Sequence, residues 1–209
     1  MGSTLATALT SAGHPVRWLS DSDQEPAGTG MRASVETIRG CDVVIECISE
    51  DRAAKISVLG ELAGTSAAVL TTTSSFTVAE LASESGLEGR LAGFHYLPSY
   101  GGKLVELTTA ASDPDVRAAA AALADELGLA TVEVADRPGR ISRRLIVPFL
   151  ENVLRAVELG IASPDDIDRV VHLGLGHAVG PLHRLGEAGL EDHRAVVKAL
   201  LPTIPTAGR

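Results

Sequence analysis

Asp42-Val-Val-Ile-Glu-Cys47 decides how this chain folds. Three apolar β-branched residues run without interruption, where a strand wetted on one face would alternate. An unbroken run of this length is the pattern of a parallel strand covered on both faces. The sequence on either side alternates to match. Downstream, the pattern predicts a helix over 50–62, a strand over 67–71, a helix over 78–85 and strands over 91–95 and 103–108. An alanine-rich helix over 113–127, capped by Asp113 or Asp115, and a strand over 131–134 follow. Upstream, Leu5, Ala8, Leu9 and Ala12 share one face of a helix over 2–12 that Gly13 stops. A strand over 16–19 ends at Ser20 and Asp21, a polar Gly/Pro-rich loop occupies 22–32, and a short helix fits 33–39. This alternation predicts an α/β, Rossmann-like doubly wound parallel sheet.

The pattern changes at Asp136-Arg-Pro-Gly139, a turn signal that predicts a boundary between residues 1–137 and 138–209. No strand pattern follows it. Ile141, Leu145, Val147, Phe149, Leu150, Val153, Leu154, Val157 and Leu159 give helical periodicity over 140–160, with a kink or break expected at Pro148. Ser163-Pro-Asp-Asp reads as a capped helix start with proline in the first turn. A glycine-rich turn over 174–181 and two short helices complete an all-helical second domain.

The 209 residues are 45% hydrophobic and 22% charged, with a formal net charge of −9. An acidic chain without a basic cluster argues against nucleic acid or an anionic membrane as partner. Arg137, Arg140, Arg143 and Arg144 are the one dense positive group. Cys41 and Cys47 form no metal-ligand or disulfide pattern and are expected as buried thiols in a reducing compartment. No apolar run reaches membrane-span length and no signal peptide is evident, which predicts a cytoplasmic protein.

A dinucleotide fold begins with a strand and a Gly-x-Gly-x-x-Gly turn at the mouth of the first helix. Here Gly2 can stand for the last of those glycines, and the first strand is expected between the strands at 16–19 and 42–47. A start upstream of Met1 or a shortened chain is the expectation; the intact mass of natively produced protein tests it. The residue gripping the adenine ribose would be Asp21, which favours NAD by repelling a 2′-phosphate, or Ser20, which leaves the preference open.

Residues 93–107, Gly-Phe-His-Tyr-Leu-Pro-Ser-Tyr-Gly-Gly-Lys-Leu-Val-Glu-Leu, read as strand, loop and returning strand. A hairpin-like return could bring His95 and Glu106 together. A carboxylate at one imidazole nitrogen fixes the tautomer and leaves the other nitrogen to act as a base.

Several stretches, in order, resemble the 3-hydroxyacyl-CoA dehydrogenase family. They are Asp-Val-Val-Ile-Glu-Cys at 42–47, Thr-Thr-Ser-Ser-Phe at 72–76, Gly-Phe-His at 93–95 and Lys-Leu-Val-Glu at 103–106. Asp-Arg-Pro-Gly-Arg at 136–140, Arg-Leu-Ile-Val-Pro at 144–148, Ala-Ser-Pro-Asp-Asp-Ile-Asp at 162–168 and Leu-Gly-Leu-Gly-His-Ala-Val-Gly-Pro-Leu at 173–182 continue the match. The resemblance implies NAD-linked oxidation of a 3-hydroxy group or reduction of the ketone, and a homodimer formed through the helical domain. It implies that His95 is the general base, that Glu106 orients and charge-stabilises it, and that Ser74 hydrogen-bonds the reacting oxygen. It places Glu50 and Lys55 near the cofactor; read from the residues alone, these two and Glu46 could equally be helix-cap and surface charges.

Four departures from the family pattern stand out. The loop after His95 is one residue shorter. Arg143 stands where the family has an asparagine that both donates and accepts; arginine only donates and stays charged. The helical hairpin that follows the second strand and helps hold coenzyme A is missing between Asp21 and Asp42. The C-terminus comes early. Together they suggest a smaller, non-CoA 3-hydroxy or 3-oxo acid whose anionic end meets Arg143. A catalytically inactive relative that binds a ligand or partner is the alternative. A β-hydroxyacid dehydrogenase ranks last, because residues 140–160 hold no lysine to serve as its catalytic group.

Overall fold

The computed structural model describes residues 2–19, 31–32, 34–98 and 101–200. Its contacts divide the chain into Met1–Arg137 and Pro138–Arg209.

The first unit opens with helix α1 (Gly2–Ser11), then the short strands β1 (Arg17–Trp18) and β2 (Met31–Arg32). These two pair in parallel, so the predicted loop over 22–32 ends in a strand. Helix α2 (Val35–Arg39) follows, with Ser34 at its N-cap. Five strands then form the main sheet in order: β3 (Val43–Glu46), β4 (Ala68–Thr71), β5 (Leu91–Tyr96), β6 (Leu104–Thr108) and β7 (Ala130–Glu133). All neighbours are parallel except β5 and β6, because only a seven-residue turn joins them and a parallel crossover needs a dozen or more residues. Among the described residues no strand pairs with the outer side of β3, and β1–β2 forms a separate sheet. The predicted strand end at Ser20 and Asp21 lies outside the described residues.

Helices cover both faces of the sheet, as the apolar run at 43–45 requires. On one side α1 and α5 (Pro114–Glu126) pack Leu5, Val116, Ala120 and Leu123 onto Ala68, Leu70, Ala92 and Phe94. On the other, α2, α3 (Arg52–Gly60) and α4 (Val78–Ser85) pack Ile38, Leu59, Val78 and Leu81 onto Val69 and Leu91. The alternation of Ala68, Val69 and Leu70 between these two cores is the period-two geometry of a strand. The α3 helix starts later than predicted, because Asp51 caps it by accepting from Ala54 N–H at 2.8 Å. Asp136 adds a remote cap to α4: its two oxygens accept from Val78 N–H at 2.8 Å and Ala79 N–H at 2.9 Å. Cys41 and Cys47 are free and half-buried rather than fully buried, since each lies at an end of β3 and not within it. Burial and the neighbouring Glu46 carboxylate push the Cys47 thiol up to about 11.

The second unit is helical throughout its described residues: α6 (Ser142–Glu158), α7 (Pro164–Arg169), a π-helical turn over Val170–Gly174, α8 (Pro181–Ala188) and α9 (Leu190–Leu200). The α6 helix runs on through Pro148, where the sequence predicts a kink or a break. Proline forfeits one N–H there, but Val147 and Leu150 on either side are buried, and Val147 packs the helix against Val196 and Leu200. Ser163 caps α7 by accepting from Asp166 N–H at 3.2 Å, as its sequence predicts. Asp168 accepts from Leu182 N–H at 2.7 Å and His183 N–H at 2.9 Å, capping α8 from another helix. Ile141, Leu145, Leu159, Ile161, Val170, Leu173 and Leu175 are each at least half exposed.

Candidate active site

The parallel strands β3, β4 and β5 end at one edge of the sheet, where open α/β sheets bind ligands. Their register sets what meets there. Glu46 lies opposite Thr71, Thr71 opposite Gly93, and Gly93 opposite Thr108. One step outward from Gly93, on the same sheet face, His95 lies directly opposite Glu106.

That cross-strand position makes the predicted pair. His95 Nδ1 and Glu106 Oε2 are 2.7 Å apart, with the two residues 0% and 3% exposed. A buried carboxylate at Nδ1 favours the tautomer that carries the proton there and steadies an imidazolium when one forms. The shortened loop does not disturb the pair. At its far end Gly102 has φ +58°, and an added Cβ would come 2.9 Å from the Tyr96 hydroxyl, so a side chain there is excluded twice. The Tyr96 hydroxyl donates to the Gly102 carbonyl at 3.3 Å and so closes the turn.

Ser74 stands three residues beyond Thr71, past the end of β4, and is 2% exposed. Glu50 holds it: Oε1 accepts from Ser74 N–H at 2.7 Å and from its hydroxyl at 3.3 Å, while Oε2 accepts from the Thr73 hydroxyl at 2.8 Å. Glu50 is therefore neither a helix cap nor a free surface charge. It links the end of β3 to the end of β4.

Lys55 and Glu46 overturn the surface-charge alternative more sharply. Lys55 is 0% exposed and Glu46 4%. The Lys55 ammonium donates to Glu46 Oε1 at 2.8 Å, to Oε2 at 3.1 Å and to the Ile48 carbonyl at 3.2 Å. Glu46 also accepts from Ile48 N–H and from the Thr71 hydroxyl, each at 2.7 Å. Glu46 was not singled out as a site residue from sequence. The readable signal was Lys55 itself, which shares the inward helix face of Leu59 at i+4.

Gly2 begins α1 against the end of β3, where an added Cβ would sit 3.4 Å from the Cys47 Cβ. That is ordinary contact distance, and it sets the N-terminus of α1 beside the end of β3, an arrangement suited to an anionic group. Arg143 lies in the second unit, on the first turn of α6. It is half-buried, and its Nε is buried with no hydrogen-bond partner among the described residues. Asp21 lies outside the described residues. Among the described residues no cluster of three or more metal-ligating side chains occurs, and no helix is long and apolar enough to cross a membrane.

Comparison with known proteins settles the family. The NAD-binding domain of 3-hydroxyacyl-CoA dehydrogenase matches residues 20–137, and that enzyme's C-terminal domain matches residues 139–206. The chain belongs to the 3-hydroxyacyl-CoA dehydrogenase family. Probable 3-hydroxybutyryl-CoA dehydrogenase of Bacillus subtilis is 31% identical over 172 residues, covering 80% of this chain and 60% of that protein. The 3-hydroxybutyryl-CoA dehydrogenase of Mycobacterium tuberculosis is 34% identical over 165 residues, covering 74% and 56%. The chain thus spans less than two thirds of these relatives' lengths. Among solved structures, (S)-3-hydroxybutyryl-CoA dehydrogenase from Ralstonia eutropha superposes with a TM-score of 0.80 at 25% identity, over 97% of this chain and 83% of that one. FadB2 of M. tuberculosis shares the fold with a TM-score of 0.86 at 24% identity, over 99% and 85%.

Proposed function

We propose that this chain is an NAD-dependent oxidoreductase that interconverts a 3-hydroxyacyl and a 3-oxoacyl substrate. The buried His95–Glu106 pair, directly opposed across antiparallel strands, carries the reading. His95 takes the hydroxyl proton at Nε2 in oxidation and returns it in reduction. Glu106 holds the ring and stabilises its charged form. Ser74 donates to the reacting oxygen, with its backbone fixed by Glu50. The nicotinamide, when bound, accepts or supplies the hydride. Gly2 and Glu50, at the ends of α1 and β3, are the residues on this chain that fit beside it. Asp21 favours NAD over NADP.

The test is NADH oxidation with acetoacetyl-CoA, repeated with His95→Gln and Glu106→Gln. Turnover that the two variants abolish supports the reading. Absence of both turnover and NADH binding would favour an inactive, ligand-binding relative.

A non-CoA substrate follows if Arg143 meets a carboxylate, and its unpartnered Nε is the observation that favours this. Arg143→Asn would then weaken use of a free 3-oxo acid more than use of its CoA thioester. A preference of the unsubstituted protein for the thioester would refute it. The exposed apolar side chains of Leu145 on α6 and of Val170 and Leu173 on the π-helical turn support a homodimer through the second unit. Sedimentation tests this, with Leu145→Glu and Leu173→Glu expected to give monomers. The acidic composition and these relatives fit a cytoplasmic enzyme, which fractionation of the source cells checks.

A further inference from the structure

Ser74 sits on a segment, residues 72–79, that leaves the end of β4 and enters α4. The two ends of this segment are held by different parts of the sheet. At the near end Thr72 N–H donates to the Glu46 carbonyl at 3.0 Å, and Glu50 accepts from the Thr73 and Ser74 hydroxyls. These bonds lead back to β3 and the connection after it. At the far end the Val78 and Ala79 N–H groups donate to the two oxygens of Asp136, at 2.8 and 2.9 Å. Asp136 follows β7, at the other side of the sheet. Two residues before it, Val134 N–H donates at 2.8 Å to the carbonyl of Leu107, the neighbour of Glu106 on β6. Arg137 N–H donates to the Ala135 carbonyl at 2.8 Å and tightens the turn around Asp136. Two hydrogen-bonded links thus join the segment carrying Ser74 to the strand carrying Glu106.

Capping alone does not account for this arrangement. The α4 helix has a local cap, because Thr77 Oγ1 accepts from Glu80 N–H at 3.3 Å. Ala79 is exposed, so water can serve its N–H. What a carboxylate 57–58 residues away adds is a fixed placement of the segment against the end of β7. Among the described residues no other hydrogen bond runs from residues 72–79 towards β5, β6 or β7.

We propose that Asp136 is a positioning residue: by binding the start of α4 to the chain leaving β7, it sets Ser74 against the His95–Glu106 pair. It acts through Ser74. Its importance to turnover rests on the dehydrogenase reading above; its hold on the segment does not.

Amide hydrogen exchange followed by NMR, with steady-state kinetics, tests this on the full chain. In Asp136→Ala the Ser74 amide, which Asp136 does not itself bind, should exchange about fivefold faster, while the amides of Val43–Glu46 in β3 stay as slow as before. Thr77→Ala weakens the same helix end but keeps the link to β7, so Ser74 exchange should stay within about twofold of the unsubstituted protein. With NADH and acetoacetyl-CoA, Asp136→Ala should lower kcat about fivefold and leave the KM for NADH unchanged, since a small displacement of a positioned group is felt in the transition state. In a Ser74→Ala background the same substitution should cost nothing further. Asp136→Asn, which keeps one acceptor oxygen, should fall between, and it decides the matter should Asp136→Ala not fold. Unchanged Ser74 exchange overturns the proposal. So do equal changes in Asp136→Ala and Thr77→Ala, the result expected of a cap and nothing more. Losses that multiply across Ser74 and Asp136 overturn it as well. An unsubstituted protein without turnover removes the dehydrogenase reading and leaves the exchange results to judge Asp136.

Discussion

Two buried pairs of charged or titratable residues sit near the strand ends of one sheet, and they are built for opposite ends. Glu46–Lys55 joins a strand to the helix that follows it, and every ammonium proton has a protein acceptor. His95–Glu106 joins two facing strands through one ring nitrogen, Nδ1. The second pair contains the one side-chain type that ordinarily titrates near neutral pH. A saturated pair holds shape. A pair with an imidazole can hold shape at one nitrogen and move a proton at the other.

This contrast can be broken experimentally. The largest effect should come from His95→Gln, which removes the proposed proton-transfer group and should lower turnover about 10²- to 10⁴-fold. Steady-state kinetics with NADH and acetoacetyl-CoA checks it. Lys55→Met should act chiefly on stability, leaving Glu46 charged and buried at a cost of about 3–5 kcal/mol. Urea denaturation reads this, and Glu46→Gln/Lys55→Met should recover most of the loss. A Lys55→Met protein of unchanged stability would erase the distinction between the pairs. Asp136→Ala should cost about 1 kcal/mol, by removing the remote cap on α4 while Thr77 remains as its local cap.

A further effect concerns Cys47, beside Glu46. Its thiol is pushed up to about 11, chiefly by burial. At pH 8 it should therefore react with iodoacetamide on the order of a hundredfold more slowly than an ordinary exposed thiol, since the thiolate is the nucleophile. The sign for stability follows. Between pH 9 and about 11 the unfolded chain releases this proton while the folded chain keeps it, so folding weakens as pH rises across that window. Cys47→Ala should flatten the stability profile there.

Much of the fold is legible in the sequence because strands covered on both faces leave a plain signal. Val43–Ile45 and Ala68–Leu70 are such runs, and the turn at Asp136–Gly139 marks the change to helices. The His95–Glu106 contact is legible too, because a short loop between two strands forces an antiparallel return. The role of Lys55 is not. Lysine and glutamate usually belong to water, and only tertiary packing puts Lys55 at 0% exposure. The carboxylates that cap helices from afar, Asp136 and Asp168, are likewise invisible. Their partners lie 57–58 and 14–15 residues away in the chain.

The ladder between β5 and β6 has a consequence for how this chain can diversify. His95 faces Glu106 because backbone pairing runs from Gly93–Thr108 to Tyr96–Val105, not because the intervening segment has a given length. Lengthening a loop costs little once both strands are anchored. Provided the Gly102 turn is kept, changes elsewhere between Leu97 and Lys103 should therefore leave His95 facing Glu106.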